Sequence, residues 1–459
     1  MKKYDIVVIG GGPAGITLAK ILGNKKHIAV IRPEDHSMIY CAMPYVIEGL
    51  IEHEKTHKTD SLVTGSGATL IRGTVAEINF DKKELHMSDS SCVSYDKIVM
   101  ATGANPFIPL IPGRDLKGVL GFKTEKDLRR ISGLVEQGLK KAVVVGAGAI
   151  GMELALALHS KDIEVDLVDM GESILPNLID KELAEGLHEE IRQSGINLHL
   201  HAKVTELKGS ETVDQVILDN GQAIHLDSRE GLSGKERGNR SNMVVFAAGM
   251  VPDISLVKDS SLKTGKDGII VNDKMETSIP DVYAAGDCVQ FSSGITGEVV
   301  PGKLATNAVP MAKVIGHNLL GQNRTYPGFF NGAATKVFDH YIGGTGLSER
   351  TARQSGHEVV CGFSEVTTQF PIMPEAKKMR IKLVADKNSH GLLGGQIISG
   401  EPVTSQIDLL TFAIQKKATI EDLAELSYSA QPYQSFYPAA NLVVLAAEDI
   451  LQKIEPETL

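Results

Sequence analysis

Short apolar runs alternate with segments of helical character over the first part of the chain. The run from Tyr4 to Ile9 is rich in β-branched residues, which is typical of a strand buried on both faces of a parallel sheet. A glycine-rich segment, Gly10 to Gly15, follows it, and then come a helical segment, Ile16 to Leu22, and a second strand-like run, Ile28 to Ile31. This alternation of strands and helices predicts an α/β fold with a doubly wound sheet.

The same order of elements recurs near the middle of the chain. The pattern predicts a strand at Lys141 to Val145, a glycine-rich turn at Gly146 to Gly151, a helix that ends at His159 and a strand at Glu164 to Val168. This internal duplication predicts two Rossmann-like, doubly wound domains in one chain.

A different pattern begins near Asn323. Alternating polar and apolar residues at Thr335 to Phe338 and at Met379 to Leu383 predict an antiparallel sheet, and the segment from Asn441 onward has helical character. The C-terminal region is therefore predicted to be an α+β domain. Further upstream, the polar and glycine-bearing segment Ser228 to Ser241 is predicted to be a loop.

Composition narrows the class of protein. A length of 459 residues exceeds what one core usually serves, so several domains are expected. The net charge of −10 argues against a nucleic-acid partner, and no apolar run approaches the roughly 18 residues of a membrane span. Four cysteines in so long a chain are not a disulfide scaffold, and none forms a metal-like cluster with histidine. We therefore expect a cytoplasmic protein without a membrane partner and without a metal site.

The first glycine-rich turn fits the dinucleotide-binding pattern G-x-G-x-x-G. Gly10 permits the tight turn, Gly12 lets the backbone approach a pyrophosphate, and Gly15 allows the helix to lie close to the sheet. Pro13 and Ala14 lie between the last two glycines, where the helix begins. The free N–H groups and positive dipole end of that helix favour phosphate, so these five residues are assigned to cofactor binding.

The residue expected to hold the adenosine ribose is unusual in this first domain. The strand ends at Arg32, where such turns usually carry glutamate, and Glu34 and Asp35 follow. Two assignments stay open. Either the ribose contact shifts to Glu34, or Arg32 lies against the adenosine.

The second glycine-rich turn is more regular, because an acidic residue stands at the expected place. Asp169 ends the following strand, and its carboxylate would accept a hydrogen bond from a ribose 2′-OH and repel a 2′-phosphate. Met170 and Gly171 come next and offer no cation for that phosphate, so NADH is preferred over NADPH. The cofactor-binding residues assigned to this site are Gly146, Gly148, Ile150, Gly151, Glu153 and Asp169.

Two later segments resemble one family. Tyr95 to Gly103 is a predicted strand that ends in a turn of small residues, and Thr277 to Cys288 has the sequence TSIPDVYAAGDC. Both are similar to segments of the FAD-dependent pyridine nucleotide–disulfide oxidoreductases. The resemblance implies FAD at the first turn, with Asp287 accepting hydrogen bonds from the ribityl hydroxyls and Gly286 admitting the flavin. It also implies cofactor contacts at Ser37, Ala101, Thr102, Gly103, Gly249 and Ala305.

The same resemblance sets the predicted domains. Phe246 to Asp253 resembles the segment in which the family's chain returns from the NAD domain to the FAD domain. The predicted FAD domain therefore comprises residues 1–115 and 246–322, the NAD domain residues 116–245, and the dimerisation domain residues 323–459. The resemblance further implies a two-fold homodimer with shared active sites.

A single cysteine carries the predicted redox chemistry. The family's disulfide reductases use two cysteines separated by four residues, but at that spacing from Cys41 this chain has His36 and Val46. A lone cysteine must cycle between a thiolate and an oxidised form such as a mixed disulfide, persulfide or sulfenic acid. The string CAMPYVI resembles the coenzyme A disulfide reductase branch, which also includes NADH oxidases, NADH peroxidases and persulfide reductases.

Two positions depart from other members of this branch. Peroxidases and water-forming oxidases have histidine where this chain has Pro13, and two-cysteine reductases have His-Pro where it has Gln431 and Pro432. Tyr433 or Tyr428 is the predicted replacement, donating a hydrogen bond at the neighbouring subunit's site. The alternative is that both tyrosines only pack in the subunit interface.

The substrate is less defined than the cofactors. Coenzyme A enzymes have asparagine where this chain has Tyr40, although Ser37 matches them. The predicted function is an NADH-dependent flavoprotein reductase that passes electrons through FAD and Cys41 to a low-molecular-weight disulfide, coenzyme A disulfide, persulfide or polysulfide. An NADH oxidase that reduces oxygen and a low-turnover flavin redox sensor are the alternatives.

Overall fold

The computed structural model describes residues 2–226, 242–302 and 304–454, which fold into two compact units. The predicted loop from Ser228 to Ser241 lies outside the described residues. Within them, no helix is long and apolar enough to cross a membrane. The first unit comprises Met1–Phe107, Lys123–Leu128 and Gly249–Phe329, and the second comprises Ile108–Phe122, Arg129–Ala248 and Phe330–Leu459.

Strands and helices alternate through most of the described chain. In chain order the strands are β1 (Lys2–Ile9), β2 (Ile28–Arg32), β3 (Ser37–Met38), β4 (His57–Lys58), β5 (Thr69–Arg72), β6 (Val75–Asn79), β7 (Glu84–Met87), β8 (Cys92–Met100), β9 (Ala104–Pro106), β10 (Val119–Gly121), β11 (Lys141–Val145), β12 (Glu164–Val168), β13 (Asn197–His199), β14 (Val204–Lys208), β15 (Gln215–Leu218), β16 (Ala223–His225), β17 (Met243–Phe246), β18 (Met250–Pro252), β19 (Thr264–Gly265), β20 (Gly268–Ile269), β21 (Val282–Ala284), β22 (Phe291–Ser292), β23 (Val299–Val300), β24 (Ala333–Val337), β25 (His340–Gly346), β26 (Val359–Thr367), β27 (Lys378–Asp386) and β28 (Leu392–Ser399). The α-helices are α1 (Pro13–Leu22), α2 (Met43–Glu48), α3 (Ser61–Thr64), α4 (Glu125–Glu136), α5 (Ala149–His159), α6 (Lys181–Ser194), α7 (Ala305–Asn318), α8 (Glu349–Gln354), α9 (Thr404–Gln415), α10 (Ile420–Ala424) and α11 (Leu442–Ile454).

The first unit is built around a seven-stranded sheet. Its order is β5-β2-β1-β8-β7-β6, and β21 pairs parallel to the end of β8. The pairings among β5, β2, β1 and β8 are parallel, and Val7 and Val8 in the central strand have no exposed surface. The carboxyl ends of β1, β8 and β21 therefore meet at one edge, where a doubly wound sheet binds its ligand.

The second unit holds a five-stranded parallel sheet and a separate antiparallel one. The parallel sheet has the order β10-β17-β11-β12-β13, and the β-branched Val143 and Val144 of its central strand are fully buried. Next to it in sequence, β14, β15 and β16 form a three-stranded antiparallel sheet. This arrangement is the second Rossmann-like domain that the sequence predicts.

The C-terminal part of the second unit is an antiparallel sheet of five strands in the order β24-β25-β28-β27-β26. Lys382 in β27 is fully buried, and its Nζ lies 2.9 Å from Asp180 and 2.8 Å from Glu349, with Glu182 as a third partner. Burial would lower the pKa of Lys382, but these carboxylates overcome it and raise the pKa, so the buried amine stays charged.

The predicted fold class is confirmed. Strands β11 and β12 have the bounds predicted from the apolar pattern, the sheet around residues 333–399 is antiparallel, and α11 covers the predicted C-terminal helix. The bounds of the three domains stay a prediction.

Candidate functional site

The glycine-rich turn of the first unit joins β1 to α1. Gly10 has a φ of 122°, and a Cβ there would lie 2.0 Å from the carbonyl oxygen of Ala101, so only glycine fits. A Cβ on Gly15 would lie 2.1 Å from the carbonyl oxygen of Gly10. At Gly12, no described atom beyond its chain neighbours lies within 4 Å of the Cβ position, and this residue precedes α1 without a side-chain cap. The turn therefore presents backbone N–H groups to an anion.

A buried carboxylate lies at the same edge of the sheet. The N–H of Ala285 donates to the carbonyl of Met100 at 2.9 Å, which holds the segment after β21 beside the segment after β8. Gly286 turns the chain there with a φ of 84°. Oδ1 of Asp287 is buried and has no hydrogen-bond partner among the described residues. Because an unpaired buried carboxylate oxygen is costly, the geometry indicates a donor supplied by a ligand.

Lys123 connects this carboxylate to the turn that carries the cysteine. Its Nζ lies 3.4 Å from Oδ2 of Asp287 and 5.6 Å from the centroid of the Tyr40 ring. Burial, with the charges of Glu34 and Glu125, raises the pKa of Tyr40, so its hydroxyl keeps its proton at neutral pH. No sequence motif marks Lys123, so it is not among the site residues predicted from the sequence.

Cys41 is exposed in the first unit. It lies in a short 3-10 turn, Tyr40–Ala42, that leads directly into α2. None of the four cysteines forms a disulfide; Cys288 is fully buried, and Cys92 and Cys361 are half-buried. Burial raises the pKa of the Cys288 thiol and raises that of Cys361 to about 12. Of the four thiols, Cys41 is the one open to a substrate.

The second unit repeats the geometry of the first turn. A Cβ on Gly146 would lie 2.7 Å from the carbonyl oxygen of Ala247, and a Cβ on Gly151 would lie 1.8 Å from that of Gly146. At Gly148, which precedes α5, the Cβ position is as open as in the first turn. The second turn therefore offers the same kind of phosphate cradle.

The carboxylate of Asp169 is fixed beside this second turn. Its Oδ2 accepts from the N–H of Ala147, and its Oδ1 accepts from the N–H of Gly171, each at 2.6 Å. The side chain thus stands at the end of β12, where this fold binds the ribose of a dinucleotide. Met170, next in sequence, is 73% exposed and brings no positive charge.

Comparison with known proteins decides the family. The profile of the pyridine nucleotide-disulphide oxidoreductases matches residues 4–312, and the profile of their dimerisation domain matches residues 333–437. The chain belongs to the pyridine nucleotide-disulphide oxidoreductase family. It is therefore a flavoprotein oxidoreductase that binds FAD and NAD and carries the family's dimerisation domain.

Similar proteins in this family have different acceptors. An NADH oxidase of Methanocaldococcus jannaschii is 34% identical over 98% of this chain and 99% of its own. A CoA-dependent NAD(P)H sulfur oxidoreductase of Pyrococcus furiosus is 30% identical over 97% of this chain and 99% of its own. The solved structure of an NAD-dependent persulfide reductase from A. fulgidus has a TM-score of 0.89 and 29% identity, covering 98% of this chain and 83% of that one.

The first unit fits the FAD of this family. The open Gly12 offers space and N–H groups for the pyrophosphate, and Oδ1 of Asp287 lacks the donor that a ribityl hydroxyl would supply. Beside them, the N–H of Ala101 donates to Ile9, and Thr102 Oγ1 donates to the carbonyl of Asp253 at 2.6 Å. These bonds fix the small residues Ala101 and Thr102 at the sheet edge.

The remaining predicted cofactor residues of the first unit occupy varied places. Pro13 and Ala14 lie in the first turn of α1, and Ser37 lies in the buried strand β3. Gly103 and Gly249 have positive φ angles, and Ala305 is the first residue of α7. Their contacts with the cofactor stay predictions.

Arg32, the departure from the usual acidic residue, is almost fully buried. A Cβ on Gly11 would lie 2.5 Å from its Cδ, so the side chain runs along the first turn. Its Nη2 donates to the carbonyl of Asp35 at 3.0 Å and pairs with Asp60, while its Nε is buried without a partner among the described residues. Glu34 is exposed. Which of these two residues, Arg32 and Glu34, contacts the adenosine stays a prediction.

Glu153 and Ile150 lie on α5, after the second turn. Oε1 of Glu153 accepts a hydrogen bond from Thr335 Oγ1 at 2.7 Å, and burial raises the pKa of this carboxyl while that bond opposes the rise. Ile150 is 39% exposed at the start of the helix. Their assignment to NAD binding stays a prediction.

Both predicted catalytic tyrosines lie in the exposed segment between α10 and α11. The Tyr428 hydroxyl donates to the carbonyl of Pro438 at 2.5 Å. Tyr433 is 68% exposed, and its N–H donates to Oε1 of Gln431 at 2.9 Å. Exposed aromatic side chains in a dimerisation domain fit a subunit interface, and their catalytic role stays a prediction.

Proposed function

We propose that this flavoprotein is an NADH-dependent reductase that uses Cys41 to reduce a low-molecular-weight disulfide, coenzyme A disulfide, persulfide or polysulfide. The observation that carries the proposal is the exposure of Cys41. The residue before it, Tyr40, lies near Lys123, and Lys123 in turn lies near the carboxylate of Asp287 in the flavin site. These contacts support a single site for the cysteine and the flavin residues. The P. furiosus and A. fulgidus relatives, named for sulfur and persulfide reduction, support the choice of a sulfur acceptor.

Bound FAD would accept a hydride from NADH and supply two electrons to sulfur. The Cys41 thiolate attacks one sulfur of the acceptor R–S–S–R, which forms Cys41–S–S–R and releases R–S⁻. Two electrons then break the mixed disulfide, which restores the thiolate and releases the second R–S⁻. With a persulfide, the same steps release R–S⁻ and, after uptake of a proton, HS⁻. One cysteine suffices because the acceptor supplies the second sulfur.

The nicotinamide cofactor and the subunit arrangement are part of the same proposal. Asp169 binds the 2′-OH of NADH and repels a 2′-phosphate, so NADPH is the poorer donor. In a two-fold dimer, Tyr433 of one subunit, or Tyr428 once its hydroxyl leaves the Pro438 carbonyl, donates a hydrogen bond to the departing thiolate at the other subunit's Cys41.

The substitution Cys41→Ser tests the proposal. Under anaerobic conditions, oxidation of NADH by coenzyme A disulfide or polysulfide should fall by more than about 100-fold, because the nucleophile is gone. Reduction of the flavin by NADH should be unchanged. Cys92→Ser, which removes a half-buried thiol of the same unit, is the matched control and should retain full turnover. Undiminished sulfur reduction by Cys41→Ser would refute the proposal.

An NADH oxidase is the second candidate, because the M. jannaschii relative of that name is 34% identical over nearly the whole chain. This function requires many turnovers of NADH with oxygen as the only acceptor. An oxygen electrode measures it, and oxygen uptake that exceeds the rate with every sulfur acceptor would favour the oxidase.

A further inference from the structure

Three histidines and one glutamate converge in the first unit, and the proposed reaction uses none of them. They are His36, His53, His57 and Glu125. Each side chain is partly buried, with between 18% and 26% of its surface exposed. The proposed reaction therefore does not explain why these four side chains lie together.

The local fold explains why the histidines meet. β3 and β4 pair antiparallel with Met38 opposite His57, so His36, which precedes β3, lies beside His57. A short 3-10 turn, His53–Thr56, leads into β4 and places His53 next to the same ring. Glu125, at the start of α4, reaches the three rings from a distant part of the sequence.

Three of the four residues, His36, His57 and Glu125, have ligand atoms close enough to one another to share a metal ion. The Nε2 atoms of His36, His53 and His57 lie 2.9, 3.3 and 3.7 Å from the carboxylate oxygens of Glu125. Zinc bonds to nitrogen and oxygen are about 2.0–2.2 Å long, which separates neighbouring ligand atoms of a tetrahedron by roughly 3.3–3.6 Å. The ligand atoms of His36, His57 and Glu125 all lie within 4.8 Å of one another.

The histidine nitrogens also lack another partner. All three Nε2 atoms are buried and make no hydrogen bond among the described residues. The rings of His36 and His57 stack at 3.6 Å, so charging both by protonation would set two cations face to face. A shared proton satisfies one nitrogen, whereas one divalent cation satisfies those of both His36 and His57.

We propose that His36, His57 and Glu125 bind one divalent cation of the zinc class, with His53 beside them. Imidazole and carboxylate are ligands that zinc prefers, and three protein ligands leave the fourth position of the tetrahedron to a water molecule. The bound ion would join the segment of residues 36–57, which contains Cys41, to the start of α4. Its role is thus to hold the turn of the redox cysteine in place. The expectation of no metal site rested on cysteine–histidine clusters, and this cluster contains no cysteine.

Metal binding by the full-length flavoprotein tests the site. The purified protein is equilibrated with Zn²⁺, dialysed and assayed for metal, and Co²⁺ serves as a spectroscopic probe. We expect one ion per chain and the visible absorption of tetrahedral Co²⁺. His57→Gln and Glu125→Gln should each weaken Zn²⁺ binding by more than about 10-fold. Loss of a residue that only supports a metal ligand already weakens metal binding by roughly 10- to 100-fold.

Two controls make the result specific. His340→Gln removes a histidine whose Nε2 lies 2.8 Å from Glu190, a single pair elsewhere in the chain, and it should leave the bound ion unchanged. Cys41→Ser should also retain the ion. Absence of stoichiometric metal, retention of the ion in both ligand variants, or its loss in Cys41→Ser would overturn the proposal. Because the readout is bound metal, the result does not depend on which acceptor the enzyme reduces.

Discussion

Replacing Asp287 with asparagine isolates one contact between the protein and FAD. Oδ1 of Asp287 is buried without a donor among the described residues, and Lys123 lies 3.4 Å from Oδ2. A hydrogen bond to a charged group contributes about 1.5–3 kcal/mol, and about 1.4 kcal/mol is a factor of ten in a dissociation constant. Asparagine keeps the shape but removes the charge, so the Kd for FAD should rise roughly 10- to 150-fold.

The assay is titration of FAD into the FAD-free, full-length protein, followed by flavin fluorescence. Asp259→Asn, which neutralises an exposed carboxylate of the same unit, is the matched control and should bind FAD like the unaltered protein. A rise in Kd below about threefold for Asp287→Asn, or about 0.6 kcal/mol, would refute the assignment of this carboxylate to the ribityl chain.

Three further predictions concern the two turns, the second nucleotide and pH. Gly12→Val should weaken FAD binding and Gly148→Val should weaken NADH binding, both without unfolding, because each Cβ position is open; flavin content and NADH titration measure this. Asp169→Ala should lower kcat/KM for NADH relative to NADPH by roughly tenfold or more in steady-state kinetics, because the 2′-OH loses its acceptor. The hydrogen bond from Lys382 holds the pKa of Glu349 at about 2, so Glu349 stabilises the fold above about pH 4.5 and loses that contribution as pH falls towards 2. Glu349→Gln should flatten this fall in the free energy of unfolding, measured by urea denaturation.

Each of these predictions has an outcome that contradicts it. Loss of NADH binding with full retention of FAD in Gly12→Val would reverse the assignment of the two turns. An equal fall in kcat/KM for NADH and NADPH would remove Asp169 from cofactor discrimination. Glu375→Gln, at an exposed carboxylate of the second unit, is the control for Glu349→Gln, and the same pH dependence in both variants would contradict the role of the Lys382 contact.

The parts of the site that follow from local structure were predictable from the sequence. A strand, a glycine-rich turn and a helix fix one another's geometry, so the pattern at Gly10 to Gly15 was enough to place open N–H groups. Asp287 was predicted from the resemblance of Thr277 to Cys288 to the family, and the turn that carries it follows β21 directly. The family's two-cysteine spacing is absent at Cys41, and this absence is visible in the printed sequence.

Contacts between distant segments were not predictable, because strand order decides them. Lys123 meets both Asp287 and Tyr40, and no local pattern marks it as part of the site. Glu125 likewise lies close to three histidines, and the residues next to it in the sequence do not predict these contacts. The sequence left open whether Arg32 or Glu34 contacts the adenosine. Only the fold shows that Arg32 pairs with Asp60 and that its side chain lies along the glycine-rich turn.

The mass of the protein after reaction with a sulfur acceptor tests the central role of Cys41 most directly. The enzyme is reduced with NADH, freed of excess NADH, mixed anaerobically with coenzyme A disulfide or polysulfide, quenched in acid and digested. We predict an adduct of the acceptor on the Cys41 peptide that disappears when NADH is added before the quench. A Cys41 that stays unmodified while the acceptor is reduced, or an adduct that NADH does not remove, would contradict electron transfer through this cysteine.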